Sequence, residues 1–317
     1  MDISRVAPEL RSPMRRVTRI PIPMERAWVR RLIQTLLAVM PATKLDGVSI
    51  EQPRDAAPSV RVYRPAPRRS LAALLWIHGG GLIFGRAVQD DRLCGLTARE
   101  LGILVVSVEY RKAPEHPFPA ALDDCLAGWR WLQREAPRLG VDPTCVAVGG
   151  ESAGGGLVAS LAQRLHDTGE TPPVAQWLFC PMLDDRTAAR KDLDAVDHFV
   201  WNNRVNRFGW RSYLGVEPGA PSAPPYAVPA RREDLRGLPP AWIGVGDIDL
   251  FYDEDQAHAQ RLRAAGVEAT FEVAPGAPHG ITSWAPNTNI AREHVRRALV
   301  WLGQALEAQE VGERAQG

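Results

Sequence analysis

Residues 145–157 read Cys-Val-Ala-Val-Gly-Gly-Glu-Ser-Ala-Gly-Gly-Gly-Leu, an apolar run followed by a glycine-rich turn around Ser152. Residues 150–154 fit the pattern Gly-x-Ser-x-Gly, and a helical pattern opens at Ala153. In such a strand–turn–helix unit, the flanking glycines avoid clashes at a sharp turn that lifts the serine hydroxyl clear of a sheet. The following helix directs backbone N–H groups and its positive dipole end at a developing oxyanion. The stretch therefore predicts that Ser152 is a nucleophile.

A phosphate-binding loop is the alternative for a glycine-rich turn between a strand and a helix. Neither Gly-x-x-x-x-Gly-Lys-Ser/Thr nor Gly-x-Gly-x-x-Gly can be aligned with residues 149–156. The sequence thus favours the nucleophile turn, with the amide of Ala153 as one donor to an oxyanion.

Apolar runs of strand length alternate with helix-length segments on both sides of this turn. The predicted strands are 48–51, 60–63, 71–77, 103–108, 145–148, 174–179, 241–245 and 269–273. The predicted helices are 92–101, 120–135, 153–166, 254–265 and 291–308. The first two strands are short alternating runs that favour an antiparallel edge. The remaining alternation predicts the α/β class, with a mainly parallel sheet, helices on both faces and chemistry in the loops after the strands.

A second glycine-rich loop, His78-Gly79-Gly80-Gly81, follows the predicted strand 71–77. Glycines let backbone amides approach a ligand atom closely, as an oxyanion hole for an acyl-transfer intermediate requires. We therefore expect the amides of Gly79 and Gly80, together with that of Ala153, to bind an oxyanion. His78 is expected to brace the loop rather than to transfer protons.

One late histidine is placed as a catalytic base must be. A serine nucleophile needs a base, and the chain order in this arrangement is serine, acid, histidine. His279 lies in a loop after the predicted strand 269–273, whereas His258 and His294 lie within helical patterns. We therefore expect His279 to remove the proton of Ser152.

The acid that orients this base should come from the loop after the predicted strand 241–245. Asp247, Asp249 and Asp253 compete for the role. Asp253 stands beside Glu254 at the start of a helical pattern, where acidic residues favour the positive end of the dipole. Physical reasoning leaves both Asp247 and Asp249 open.

Bulk composition excludes several other classes of protein. Hydrophobic residues make up 45% and charged residues 24% of the 317, which is ordinary for a globular enzyme. The formal net charge of +1 gives no sign of a nucleic-acid or anionic-membrane partner. No apolar run approaches the ~20 residues of a membrane span. Residues 1–23 lack the apolar centre of a signal peptide, so a cytoplasmic location is expected.

The four cysteines, at positions 94, 125, 145 and 180, form no metal or redox motif. No two of them stand at Cys-x-x-Cys spacing. Cys145 and Cys180 lie in apolar runs that are predicted core strands, where buried free thiols are the simplest interpretation. We expect neither a metal ion nor an organic cofactor.

Two parts of the chain do not follow the alternation of predicted strands and helices. Between 26 and 40, apolar residues recur at helical spacing, which predicts one amphipathic helix lying on an apolar surface; they are Trp28, Leu32, Ile33, Leu36, Leu37 and Met40. Trp28, Leu32 and Leu36, on one face of this helix, are expected to wall a substrate pocket. The aromatic connection between 179 and 241 is longer than a crossover requires, which favours a helical insertion over the site; extra packing at the sheet edge is the alternative. The predicted organisation is an N-terminal cap segment at 1–45 and a catalytic domain at 46–317 with a cap insertion at 184–215.

Three motifs in order resemble the bacterial hormone-sensitive-lipase-type esterases. They are His-Gly-Gly-Gly at 78–81, Tyr-Arg-Lys-Ala-Pro-Glu-His-Pro-Phe-Pro-Ala-Ala at 110–121 and Gly-Glu-Ser-Ala-Gly-Gly at 150–155. The resemblance extends from about Leu74 to Ile281 and is weak over the first 45 residues. It implies the α/β-hydrolase fold with a helical cap, and hydrolysis of small, short-acyl carboxylic esters through an acyl-enzyme.

The resemblance also bears on the acid and on assembly. In this family the acid stands four residues before an Asp-Glu pair, which here is Asp253-Glu254 and indicates Asp249. Leu250 stands where many members have proline, so Asp247 stays open. Members often dimerise through the last strand and helix, which makes a homodimer an expectation.

Two other functions use the same fold. An amidase or lactone hydrolase could use the same triad, and a non-catalytic small-molecule receptor is a relative of this family in which the base is lost. The joint presence of Ser152, His279 and a suitable aspartate argues against the receptor.

Overall fold

The chain is organised around an eight-stranded sheet in the computed structural model, which describes residues 1–17 and 23–314. The strands are β1 (Val48–Glu51), β2 (Val60–Pro65), β3 (Ala73–Ile77), β4 (Leu104–Val108), β5 (Val146–Glu151), β6 (Gln176–Phe179), β7 (Ala241–Gly246) and β8 (Ala269–Ala274). Their order is β1-β2-β4-β3-β5-β6-β7-β8. β2 runs antiparallel to β1 and β4, and every other pair is parallel. The predicted antiparallel edge and mainly parallel sheet are confirmed.

Helices cover both faces of the sheet. They are α1 (Pro8–Met14), α2 (Ala27–Ala38), α3 (Asp91–Leu101), α4 (Ala120–Leu139), α5 (Ala153–Thr168), α6 (Asp185–Ala189), α7 (Asn203–Leu214), α8 (Tyr252–Ala264), α9 (Ile281–Trp284) and α10 (Asn289–Arg314). Successive side chains of β3 enter opposite layers, because a strand alternates its faces. Leu74 and Trp76 pack with α3 and α10, whereas Leu75 and Ile77 pack with α4, α5 and α8.

The parallel strands align their carboxyl ends at one edge of the sheet. Ile77 at the end of β3 pairs with Gly150 of β5, and Gly246 at the end of β7 pairs with Ala274 of β8. The glycine-rich loops after β3 and β5 are therefore neighbours, as are the loops after β7 and β8. This edge is where ligands of parallel sheets bind.

Helix α1 was absent from the sequence-based prediction. It begins with Pro8, a residue suited to a first helical turn, and buries Leu10 and Met14, which are one turn apart. These side chains pack against Ile248 and Ala277, in the loops after β7 and β8. Seven residues are too few for a periodic signal, so this helix depends on the loops that it covers.

Helix α2 exists where the sequence predicts it, but its orientation contradicts the expectation that its apolar stripe walls a pocket. Trp28, Leu32 and Leu36 are 60%, 51% and 59% exposed. Val29 and Arg30 are the buried residues of the helix. The Arg30 guanidinium donates to the Met24 carbonyl at 2.8 Å. Because Val29 and Arg30 face the protein, the apolar stripe of the helix faces solvent.

All four cysteines are buried, as expected for Cys145 and Cys180, and the Cys145 thiol donates to the Leu306 carbonyl at 3.6 Å. Within the described parts of the chain, no helix combines the length and the apolar character needed to cross a membrane.

Candidate active site

Ser152 stands alone between β5 and α5 in an unusual backbone conformation. Its φ of 56° and ψ of −121° lie in a sparsely populated region that costs about 1–3 kcal/mol for a non-glycine residue. Its N–H donates to the Phe179 carbonyl at 2.8 Å, and its carbonyl accepts from the N–H groups of Met182 at 2.9 Å and Gly156 at 3.1 Å. The turn is therefore fixed by the end of β6.

The glycines around Ser152 are required by close backbone contacts. A Cβ at Gly154 would lie 2.0 Å from the Ile77 carbonyl oxygen, and one at Gly150 would lie 2.6 Å from the Gly154 carbonyl carbon. Helix α5 consequently begins directly against the end of β3, which brings the turn beside the His78–Gly81 loop.

A continuous chain of hydrogen bonds links three of the predicted residues. His279 Nε2 lies 2.8 Å from Ser152 Oγ, and His279 Nδ1 lies 2.8 Å from Asp249 Oδ2. All three residues are only 6% exposed. The other carboxylate oxygen of Asp249 accepts from the Phe251 N–H at 3.0 Å, which fixes the orientation of the carboxylate.

The competing aspartates lie elsewhere. Asp247 accepts from the Gly276 N–H at 2.6 Å and so shapes the loop that leads to His279 without touching the imidazole. Asp253 is exposed and lies 3.6 Å from the Arg190 guanidinium. Glu254 differs from its expected role at the helix dipole, because it is buried and accepts from the Leu183 N–H at 2.7 Å.

The backbone of the glycine-rich loop runs past the nucleophile. A Cβ at Gly79 would lie 3.5 Å from Ser152 Cβ, and Gly80 has a φ of +125° that favours glycine. Among the described residues, no acceptor receives a hydrogen bond from the Gly79 or Gly80 N–H. Ala153 is the first residue of α5, where amides have no acceptor within the helix. The Gly79 backbone thus passes beside Ser152, and the N–H groups of Gly79 and Gly80 are without an acceptor in the described chain.

The side chain of His78 holds the glycine-rich loop in place. Its Nδ1 donates to the Gly79 carbonyl at 2.7 Å, and its ring stacks on Tyr110 at a centroid distance of 4.4 Å. The Tyr110 hydroxyl donates to the His78 carbonyl at 3.0 Å. Burial, reinforced by the Lys112 charge, lowers the pKa of His78 to about 3, so the ring is neutral near pH 7. Tyr110 of the 110–121 motif thus helps to hold the His78 loop in place.

Trp201, one of the aromatic residues of the long connection, is a neighbour of the base. Its ring centroid lies 6.3 Å from that of His279, and a Cβ at Gly81 would lie 2.1 Å from Trp201 Cη2. The aromatic richness of the long connection was the available signal, but it did not distinguish Trp201 from its neighbours.

Three cavities border this arrangement in the described chain, and one of them, of about 10 Å³, is lined by Glu151, Asp249 and His294 among others. A second cavity, also of about 10 Å³, adjoins Ala153 and is lined by Leu82, Met182, Trp210 and Tyr213 among others. That volume is close to the minimum for one water molecule. A larger cavity of about 430 Å³ separates the N-terminal segment from the residues around Trp201.

The same centre contains potential metal ligands. Cys180 Sγ and ligand atoms of Asp249 and His279 all lie within 4.8 Å of one another. Both ring nitrogens of His279 are already hydrogen-bonded at 2.8 Å, to Ser152 and Asp249. The geometry therefore suits proton transfer better than coordination.

Glu151 connects the nucleophile turn to the segment after His279. Its carboxylate accepts from the Thr282 hydroxyl and, at 2.7 Å, from the Ser283 hydroxyl. Burial opposes the charged imidazolium of His279, but the charge and hydrogen bond of Asp249, with the charge of Glu151, outweigh it and raise the pKa of His279. The acid limb of the activity profile should therefore lie above the ordinary histidine pKa.

We expect Glu151→Gln to move that acid limb to lower pH. Loss of the negative charge lets the imidazolium release its proton more readily, so the base is neutral at lower pH. The pH dependence of kcat/KM measures this shift, because it reports the free enzyme. Glu170→Gln, in a surface pair with Arg130, is the matched control and should leave the profile in place. An unmoved or upward-shifted limb in Glu151→Gln would contradict the charge coupling.

A buried serine on a strand–helix elbow, joined to a histidine and an aspartate at the carboxyl edge of a parallel sheet, defines the α/β-hydrolase class. Residues 74–283 match the sequence model of a family described as having the alpha/beta hydrolase fold. The chain belongs to this family, that of the bacterial hormone-sensitive-lipase-type esterases.

Similar proteins share both sequence and structure with the chain. Carboxylesterase NlhH of Mycobacterium tuberculosis is 35% identical over 261 residues, covering 78% of this chain and 79% of the relative. Ethyl acetate hydrolase of Pseudomonas putida is 35% identical over 235 residues, covering 69% and 70%. The solved structure of a bacterial heroin esterase superposes with a TM-score of 0.84 at 35% identity, covering 96% and 99%. Esterase LipW of Mycobacterium marinum gives 0.84 at 34% identity, covering 96% of each chain. The chain is a carboxylic ester hydrolase.

Proposed function

We propose that the enzyme hydrolyses small, short-acyl carboxylic esters through an acyl-enzyme on Ser152, with His279 as general base and Asp249 as its orienting acid. The observation that carries this proposal is the chain of two 2.8 Å hydrogen bonds from Ser152 to Asp249 through His279. Each group stands at the distance that proton transfer requires.

In the acylation step, Ser152 Oγ attacks the ester carbonyl carbon while His279 Nε2 accepts its proton. The Asp249 carboxylate holds the Nδ1 proton and stabilises the imidazolium that forms. Collapse of the tetrahedral intermediate breaks the bond to the leaving alkoxide, which takes the proton from His279 Nε2. Water then attacks the acyl-enzyme by the same route and releases the acid.

The carbonyl oxygen becomes an oxyanion in both steps. The amides of Gly79, Gly80 and Ala153 are proposed to bind it, since the first two lack acceptors among the described residues and the third begins a helix. Donors that are fixed before the reaction need no reorganisation as the charge develops, and one such donor contributes about 10²–10³-fold in kcat.

We further propose that residues 1–45 and 184–215 form a cap. Phe199 of the insertion packs in one apolar cluster with Val6 and Leu10 of the N-terminal segment. Arg30 of α2 binds the Glu115 carboxylate at 2.9 Å and lies over the Phe208 ring of α7 at 5.6 Å. The Phe199 cluster and the Arg30–Phe208 contact support a cap in which the two segments meet, and such a cap would limit the access of water to the site.

The proposed substrate size follows from two of these cavities, the one beside Ala153 and the one beside Trp201. The cavity beside Ala153 would receive the terminal methyl of a short acyl group, and its volume of about 10 Å³ disfavours longer chains. The cavity of about 430 Å³ beside Trp201 would receive the alcohol portion. An acyl group that fills its pocket gains about 0.8 kcal/mol per buried methylene, and longer groups meet the wall.

We expect Trp210→Phe to move the acyl-chain preference to longer esters. Trp210 lines the small cavity, and its buried indole N–H has no partner, so phenylalanine removes volume without breaking a hydrogen bond. The kcat/KM ratio of a hexanoyl to an acetyl p-nitrophenyl ester should rise at least about fourfold, the equivalent of one methylene. The measurement is kcat/KM across an acyl-length series.

Trp131→Phe is the matched control for this series. Trp131 is equally buried and its N–H is equally unpartnered, but it lies on α4 and does not line the cavity. A parallel change in both variants would contradict the proposed acyl pocket. Matched p-nitroanilides test the activity itself: anilide turnover comparable with that of the ester would indicate an amidase, and no turnover of either would indicate a receptor.

A further inference from the structure

Five exposed apolar residues cluster on and just after α2. They are Trp28, Leu32, Leu36, Val39 and Met40, here called the α2 stripe. Spacing of four residues places the first three on one face of the helix. Of the nine large hydrophobic residues that are exposed in the described chain, these five belong to one segment, whereas Leu71, Val200, Val216 and Val300 are dispersed. Clustering of this kind marks an interaction surface, while scattered apolar residues are ordinary.

The α2 stripe is not needed to hold the helix on the protein. Val29 and Arg30 are buried, and Ile33 packs against the main core from the inward side. The guanidinium of Arg30 also bonds Glu115. An outward apolar face on a helix that is already anchored is thus available to a partner.

The net charge of the N-terminal segment indicates which kind of partner the α2 stripe binds. Residues 1–40 contain eight arginines, no lysine and three acidic residues, a formal net charge of +5, so the remaining chain carries −4 of the total +1. Arg15, Arg16, Arg26 and Arg31 are exposed, and none forms a salt bridge with another described residue. The small overall charge therefore conceals a basic N-terminal segment. An apolar face with tryptophan and leucine, flanked by arginines, is the composition of helices that lie in the interface of anionic membranes.

The α2 stripe also lies close to the largest of the cavities around the site. Met14, Val17, Pro23 and Met24 line the cavity of about 430 Å³, and α2 follows them directly. A partner on the stripe would therefore lie beside the opening that leads toward Trp201.

We propose that α2 docks the enzyme on anionic phospholipid bilayers, lying in the plane of the interface. Trp28, Leu32 and Leu36 enter the boundary between headgroups and acyl chains. The exposed arginines contact the lipid phosphates. Binding is reversible, because one short amphipathic helix buries little apolar area, and it weakens with salt.

The test is co-sedimentation of Ser152→Ala protein with vesicles, so that binding is measured separately from ester hydrolysis. Vesicles of phosphatidylcholine with phosphatidylglycerol should bind the protein at least about tenfold more strongly than vesicles of phosphatidylcholine alone. The double substitution Leu32→Glu with Leu36→Glu should lower the partition coefficient by about tenfold or more. In an otherwise wild-type chain, the same pair should leave hydrolysis of a water-soluble acetyl ester within twofold, roughly, which shows that the fold is retained.

Leu71→Glu with Val216→Glu is the matched control, because both residues are similarly exposed but stand alone. This control should bind like the parent protein. Equal binding to neutral and anionic vesicles, or unchanged binding of the α2 variant, would overturn the proposal. Sedimentation velocity gives a further test. If the parent protein and the control are dimers but the α2 variant is a monomer, a second copy of the chain covers the stripe, and the proposal is overturned.

Discussion

Replacement of Ser152 by alanine is expected to lower kcat for ester hydrolysis by about 10⁴-fold or more, as in serine proteases that lose a triad member. The reason is that the hydroxyl at 2.8 Å from His279 Nε2 is the proposed attacking group, and no other described hydroxyl bonds to that imidazole. A fluorophosphonate probe should label Ser152 in the wild-type enzyme. The thermal midpoint should change little, because the backbone hydrogen bonds of the turn remain.

Ser107→Ala is the matched control for this loss. Ser107 is a fully buried serine of β4 whose hydroxyl has no partner, so its removal tests the effect of losing any buried hydroxyl. The control should retain wild-type kcat. More than a few per cent of wild-type activity in Ser152→Ala, or a label on another residue, would refute the proposed nucleophile.

Asp249→Asn is expected to lower kcat by about 10⁴-fold, whereas Asp247→Asn should have a small effect. The structure gives a specific reason. Asp249 Oδ1 accepts from the Phe251 N–H, so an asparagine would keep its oxygen there and turn its NH₂ group to His279 Nδ1. The imidazole would then carry its proton on Nε2 and could not accept the proton of Ser152.

Steady-state kinetics of the two aspartate variants measure this difference. Asp247→Asn is the closest available control, since it alters the neighbouring acid and its 2.6 Å bond to the Gly276 N–H but not the imidazole contact. The opposite ranking would assign the orienting role to Asp247.

Long periodic signals allowed most of the sheet to be predicted from the sequence. All eight strands lie where apolar runs predict them, with ends that differ by a few residues. β5, for example, extends to Glu151, past the predicted end at Val148, because polar and glycine residues there still pair with β6. The sequence pattern records burial, whereas the end of a strand depends on its neighbour.

The orientation of α2 could not be predicted, because helical spacing does not say which face meets the protein. Trp28 suggested an inward face by its hydrophobicity, yet Arg30 is the residue that is buried. A buried arginine depends on partners such as Glu115, 85 residues away, which no local pattern reveals.

The acid of the proposed triad could not be assigned from local sequence either. Asp247 and Asp249 are two residues apart, and both follow β7, so chain position alone could not separate them. Only the folded loop shows that one carboxylate faces His279 and the other faces Gly276. The family resemblance supplied what the spacing lacked.

The contact between Gly81 and Trp201 constrains how this sequence can diverge. A methyl group at position 81 would lie 2.1 Å from Trp201 Cη2, and the φ of +59° adds strain for any side chain. A side chain at position 81 is therefore tolerated only if residue 201 has already been replaced by a smaller one. If residue 201 is replaced first, the space that Trp201 fills beside His279 is left empty. The two positions are epistatic, and the order in which they mutate decides whether the intermediate is viable. The loop after β3 and the insertion after β6 are thus expected to covary, although 120 residues separate them.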